Sequence, residues 1–367
     1  MEYQILADLY ENLFSTSKRL EKTQYVADFL RKNLSSLTEN DPLLRSCFLL
    51  LRGRVFPEWD TSKLGFAGRM VLKSLTLATG TRSDKLEQLW KKEGDLGLVA
   101  ENAIAVKKQS VLFTESLTAL KVFNTLKKIA VQEGNRSTDT KVKLLSELLT
   151  SASPREAKYV VRTVLEDMRI GLGDSTMRDA IALACFGVES ADVSASEIKD
   201  ASVENTDSNN DNRSNTNTAT ENTSSKDVRD ALQNAYDIST DWAEVYAKAR
   251  EGKHALSKIK LVVGRPLKLM LFPKALSFDD AFERLGKPCI FEYKYDGFRV
   301  AVHKKNNEVT LFTRRLENVT NQFPDVVTEV KKNISAESCI CDAEIVGINP
   351  DDKTYQPFQH ISKRIKR

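Results

Sequence analysis

The densest chemistry in the chain lies in Phe291-Glu292-Tyr293-Lys294-Tyr295-Asp296-Gly297-Phe298-Arg299. The stretch holds the pattern Lys-x-Asp-Gly-x-Arg, with an acid two residues before the lysine. A lysine amine can attack a phosphorus atom once it has lost its proton, and its unperturbed pKa is about 10.4. Burial or a neighbouring cation has to lower that value. Asp296 cannot do so alone, because its charge favours the ammonium. A lone strand lysine beside a turn most simply faces water. Four fixed residues in six shift the balance, since chance gives this pattern in roughly one of several hundred chains of this length.

Three further groups carry charge at chemically useful spacing. Thr313-Arg314-Arg315-Leu316-Glu317-Asn318 places adjacent arginines after a strand, which on their own read as surface charge. Asp342-Ala343-Glu344 puts two carboxylates on one strand face, a pattern that on its own is usually just polar. Arg169-Ile170-Gly171-Leu172-Gly173-Asp174 sets glycines before a helix start, where free backbone N–H groups can meet a phosphate. Arg162 and Arg178 are near in sequence, and an ordinary Gly-capped helix pair explains the same residues.

The elements that must position these groups follow from periodicity. Cys289–Phe291 and Val300–His303 read as strands around an Asp296-Gly297 turn. Asn306-Asn307 turns the chain again, Val309–Thr313 returns as a hairpin partner, and Ser338–Gly347 is a further strand. Residues 259–273 are extended, because Pro266 and Pro273 prevent a helix; Arg265 and Lys268 lie there, and a linker strand accounts for them. Phe278–Leu285 makes a short helix. From Tyr3 to about Thr150 the pattern is helical, with Tyr3, Leu6, Tyr10 and Leu13 on one face and Tyr25, Val26, Phe29 and Leu30 on another. Ser153-Pro154 with Glu156 starts a helix carrying Tyr159, Val160, Val164 and Met168. Helix returns at Val228–Ala249. Residues 189–225 are dominated by Ser, Thr, Asn and Asp and read as a disordered insert.

A chain of 367 residues suggests two or three domains, and 41% hydrophobic residues suffice for cores. A net charge of +4 allows a nucleic-acid partner only through a local basic face. Five scattered cysteines lack zinc spacing and read as reduced thiols, and three histidines make a histidine-based metal site improbable. No apolar run reaches membrane length.

Lys294-Tyr295-Asp296-Gly297-Phe298-Arg299 resembles motif I of the covalent nucleotidyltransferases: DNA ligases, RNA ligases and mRNA capping enzymes. Outside the polar insert, nearly the whole chain is similar to ATP-dependent DNA ligases of the archaeal and eukaryotic replicative type. Lys91–Gly97 matches a loop of their N-terminal DNA-binding domain, and Ala152–Ala184 resembles the part of it that grips DNA. The resemblance implies a multidomain α and α+β fold. An all-α DNA-binding domain, 1–260, precedes the first part of an adenylation domain with antiparallel sheets, 261–367. It implies that Lys294 is the nucleophile toward ATP. Glu292 meets the adenine amino group, Arg299 holds ribose or phosphate, and Glu344, in motif III, faces ribose or Mg2+. Arg265 reaches the nucleotide phosphates and Arg314, in motif Ia, the nucleotide; Arg315, Arg169, Gly171 and Gly173 touch DNA. It further implies nicked double-stranded DNA as partner, a sliding clamp as a second one, a cytoplasmic monomer, and no membrane. The chain stops at Arg367, before motifs IIIa to VI, so it is expected to be an incomplete chain that seals no nick alone. The alternatives are an RNA ligase or capping-type enzyme, and a DNA-binding module without catalysis.

Overall fold

A computed structural model describes residues 1–60, 62–106, 116–134, 136–188, 224–268 and 274–365. One hydrophobic core runs through the helical part from Tyr3 to Ile259. Tyr3, Leu6, Tyr10 and Leu13 are all buried in the first helix, Tyr3–Ser15, as their spacing requires. In the second helix, Arg19–Phe29, Val26 and Phe29 are buried, whereas Tyr25 is exposed.

The helix Pro154–Val164 sits at the centre. Ser153 and Glu156 close a reciprocal capping box, and every residue from Glu156 to Val164 is buried. It packs on Leu96–Ala105, while Gly68–Thr79 packs on Ser137–Ser151 and Asp174–Phe186 on Arg19–Phe29. A central helix with no solvent face must bury its charges with partners. Lys158 pairs with Glu11 at 2.8 Å and Glu101 at 3.5 Å, and Arg162 with Asp95 at 2.7 Å. Gly97 is part of that fit: a Cβ there would stand 2.8 Å from Arg162 Cγ.

The helix expected to reach Met168 ends at Val164. Glu166 and Arg169 take left-handed backbone, which turns the chain and tucks Met168 beneath Gly53. Residues 189–223 of the polar stretch lie outside the described residues. Its last residues belong to the next helix, Ser225–Ser239, capped by the Ser224 hydroxyl.

The β-rich part holds one three-stranded antiparallel sheet in the order β2-β1-β3, with β1 Phe298–Lys305, β2 Glu308–Thr313 and β3 Ser338–Ile345. Asn306, in left-handed backbone, makes the tight turn between β1 and β2. One face of the sheet buries Val300, Val302, Val309 and Leu311 under Phe323 and the helix Pro324–Asn333. Period-two alternation then sends Arg299, Asp342 and Glu344 to the opposite face. The all-α part followed by small antiparallel sheets is the fold class the sequence implies. Among the described residues no helix is long and apolar enough to cross a membrane.

The expected strand Cys289–Phe291 does not form. Residues 286–297 lie outside any strand, and Ile290 and Phe291 are 87% and 71% exposed. Both edges of β1 are occupied, by β2 and β3, and this segment pairs with neither outer edge of the sheet.

Candidate active site

Lys294 sits on the exposed, irregular approach to β1. Gly297 sets how closely this approach lies on the sheet: a Cβ there would fall 2.6 Å from the Ile345 carbonyl oxygen and 2.8 Å from Glu344 Cγ. Only glycine lets the loop press on the end of β3, and that contact brings Lys294 within electrostatic reach of Glu344. Partial burial pushes the Glu344 carboxyl above its ordinary range, while Arg299, Lys294 and the Gly297 N–H pull the other way. Arg299 stands directly opposite Glu344 in the β1–β3 register. Its guanidinium grips both oxygens of Asp342, with Nε at 3.0 and 3.2 Å and Nη2 at 2.6 Å. That fork raises the pKa of Arg299 further.

The sequence reading gave Asp342 no role. The signal was present, since Asp342 and Glu344 are two apart on one strand and share a face. The loop is stapled at its other side. Asp296 accepts a hydrogen bond from the Phe358 N–H at 3.3 Å, and Tyr295 meets Tyr355 edge-on at 5.9 Å between ring centroids. Glu292, two residues before Lys294, is exposed.

The other candidate residues fall elsewhere. Arg265 forms an ion pair with Glu244 at 2.6 Å, and Lys268 with Asp174 at 2.5 Å, so both are anchored on the helical part. Arg314 and Arg315 are exposed just beyond β2. Their turn is fixed by the Thr313 hydroxyl, which accepts from the Arg315 and Glu317 N–H groups.

In the helical part, Gly171 is left-handed and Gly173 is the N-cap of Asp174–Phe186. Arg169 lies beside them, 45% exposed, held by Asp167 at 2.8 Å and Asp95 at 3.4 Å. Arg162 shares Asp95 from the buried side, and Arg178 is committed to Asp179. Lys22 is a cation that sequence reasoning missed. Its Nζ donates to the Ile170 carbonyl at 2.6 Å, under the glycine turn, and 148 residues of separation hid it.

Gly264 N–H donates to Nδ1 of His303 at 3.0 Å, which ties the extended segment to the sheet. The neutral ring therefore carries its proton on Nε2, which has no partner among the described residues. Burial alone pushes the His303 imidazole down to about 4. The unfolded chain binds a proton below about pH 6.5, and the folded chain does not until about pH 4. The contribution of His303 is whole above pH 6.5 and is lost as pH falls from 6.5 to 4, by about 3 kcal/mol in all. Melting temperatures of the chain and of His303→Phe across that window check this; parallel curves would refute it.

The family model described as DNA ligase N terminus matches residues 2–182, and the ATP dependent DNA ligase domain matches residues 269–367. The chain belongs to the ATP-dependent DNA ligase family. A DNA ligase of Nanoarchaeum equitans is 39% identical over 368 aligned residues, covering all of this chain and 57% of the relative. That of Thermococcus fumicolans is 36% identical, with the same coverage. That of Nitrosopumilus maritimus is 32% identical and 55% covered. The ligase-family chain thus spans somewhat more than half the length of these relatives. The helical part holds the first match, and the sheet with Lys294, Arg299 and Glu344 lies inside the second.

Proposed function

We propose that this chain supplies the DNA grip and the nucleotide-accepting lysine of an enzyme that seals nicks in duplex DNA with ATP. The observation that carries the reading is the grouping of Arg299, Asp342 and Glu344 at one end of the β1–β3 pair, with Lys294 on the loop that Gly297 presses against that end. Lys294 Nζ attacks the α-phosphorus of ATP, a phosphoramide bond forms, and pyrophosphate leaves. The AMP passes to the 5′-phosphate at a nick. The 3′-hydroxyl then attacks that phosphate and AMP departs.

Each side chain has a physical part in this. Exposure leaves the Lys294 amine reachable by a nucleotide. Arg299, immobilised by Asp342, presents its remaining guanidinium edge to ribose or phosphate. Glu292 accepts from the adenine amino group. Arg314 faces the nucleotide, Arg265 reaches its phosphates from the helical side, and Arg315, Arg169, Gly171 and Gly173 face the DNA backbone.

The donor set fits Mg2+ in its usual enzyme setting, where one or two carboxylates bind and waters and substrate phosphates complete the shell. Asp342 is taken by Arg299, which leaves Glu344 as the protein ligand. Among the described residues no group of three acidic, His or Cys side chains offers a closed metal cage. A bound Mg2+ neutralises developing charge on phosphate oxygens.

The helical part favours DNA over RNA as substrate, since it is this region that matches the DNA ligase N terminus. The test is a label chase. Protein of the relatives' full length carrying this chain is charged with α-labelled ATP and then given nicked duplex DNA or nicked RNA. The label is expected to leave the protein for the DNA 5′ end. Transfer to RNA alone would make it an RNA ligase, and no protein-bound label would leave a binding module.

A further inference from the structure

The helical part holds a pocket of about 200 Å³. Phe48, Trp59 and Trp242 wall it on the helical side, and Val262 closes it from the extended segment that leads to the sheet. The walls are preformed. Trp242 stacks on Tyr236 at 3.8 Å between ring centroids and donates through Nε1 to Asp174 at 3.2 Å, and Phe48 leans on Tyr246 at 5.5 Å. The charged groups are mostly cationic: Arg45, Arg52, Arg54 and Arg265 line the pocket against two carboxylates, Glu58 and Asp241. Arg265 carries an unmet donor. Its Nη1 pairs at 2.6 Å with Glu244, which is not part of the lining, and its side chain is only 15% exposed. Its Nε is buried and has no partner among the described residues. A buried charged donor left without an acceptor is costly, and an acceptor that enters the pocket removes that cost.

Size sets the class of ligand. A dry cavity of about 150 Å³ takes one benzene, and drug-sized ligands need about 300–1,000 Å³. The pocket therefore holds one ring with one small head group and is too small for a whole nucleotide. Aromatic walls favour the ring, and the arginines favour an anionic head. We propose that this pocket binds a small aromatic anion, a single ring carrying a carboxylate or a phosphate, with the ring against Trp59 and Trp242 and the anionic group on Arg265 Nε. Val262 and Arg265 belong to the extended segment, which Gly264 ties to the sheet through His303. A ligand in the pocket thus fastens that segment to the helical part.

The test titrates the chain with phenyl phosphate and with benzoate and reads tryptophan fluorescence. Two of the three tryptophans, Trp59 and Trp242, wall the pocket, and Trp90 packs on Gly68 instead. At least one of the two probes is expected to change the emission saturably. It should do so at lower concentration than benzyl alcohol, which lacks the charge, and should outcompete inorganic phosphate, which lacks the ring. Arg265→Lys keeps a cation for Glu244 and removes the Nε donor. It is expected to weaken the probe about tenfold or more, as loss of a charge-assisted hydrogen bond requires. Val262→Phe fills the pocket from a position that is 49% exposed, so it leaves the helical core untouched, and it is expected to abolish probe binding. Equal affinity in the wild type and both variants would overturn the proposal, as would benzyl alcohol binding as tightly as the anions or no saturable change with either probe. Displacement of the probe by ATP would place it in the nucleotide site, leave Arg265 to the nucleotide alone and overturn the proposal as well.

Discussion

Lys294→Ala abolishes the protein–AMP adduct and the sealing of ordinary nicks, and it leaves the sealing of pre-adenylylated nicks largely intact. The first loss is on the order of 10⁴-fold or more, the scale seen when a covalent nucleophile is removed. The asymmetry is the informative part. Lys294 is needed to load AMP and hand it on, whereas the last step joins a 3′-hydroxyl to a phosphate that already carries its leaving group. A lysine that merely paired with Glu344 would give a different pattern. Removing it would leave Glu344 less opposed and slow all steps to a similar extent. The measurement compares adduct yield, ordinary nicks and pre-adenylylated nicks on one preparation of full-length protein. An adduct that survives in the variant would take Lys294 out of the mechanism. Equal loss on both kinds of nick would make it structural. Lys294→Arg is not a conservative control, since a guanidinium does not lose its proton.

Local signals in the sequence carried much of the fold. Ser153-Pro154 with Glu156 announced the start of the central helix, where the two side chains close a capping box. Asn306 marked the hairpin between β1 and β2, and alternation located β3. The apolar stripe of Tyr3, Leu6, Tyr10 and Leu13 pointed inward because 3.6-residue periodicity leaves those side chains on one face. Periodicity does not say which element covers a face or which charge meets which. Lys22 and Ile170, Lys268 and Asp174, and Arg162 and Asp95 are each paired across long stretches of chain, and none was legible. The same limit leaves the arginines near the glycine turn undivided. Arg162, Arg169 and Arg178 look alike in sequence, yet only Arg169 keeps much of its side chain in water. The segment before Lys294 failed for a related reason. Its residues favour a strand, but β2 and β3 fill both edges of β1 and the segment pairs with neither outer edge of the sheet, so its apolar side chains stay exposed.

Asp95→Ala is expected to cost about 3–5 kcal/mol, because it strands a buried guanidinium. Asp95 caps the helix Leu96–Ala105 by accepting from the Gly97 N–H at 2.7 Å, and it accepts from Arg162 Nη2 at the same distance. Burial works to raise its pKa, but the Arg162 hydrogen bond and charge overcome this and hold the carboxyl below its ordinary range. Arg162 is 2% exposed, and its Nε and Nη1 already lack partners among the described residues. Without Asp95 it keeps only the rings of Phe14 and Tyr159, with its guanidinium carbon 4.7 and 5.4 Å from their centroids. Those contacts do not replace a carboxylate in a site closed to water. The melting temperature is expected to fall by about 10 °C, at a few degrees per kcal/mol for a helical part of this size. Asp95→Asn keeps the shape and a cap acceptor and loses the charge, so it should fall between the two. The double variant Asp95→Ala, Arg162→Met should recover most of the loss, since a buried pair replaced by apolar side chains is near neutral. Recovery separates the stranded charge from the lost cap, which alone is worth about 1 kcal/mol. A drop of under about 2 °C in the single variant, less than 1 kcal/mol on the same scale, would mean that Arg162 swings out past the exposed edge of Phe14 and finds water.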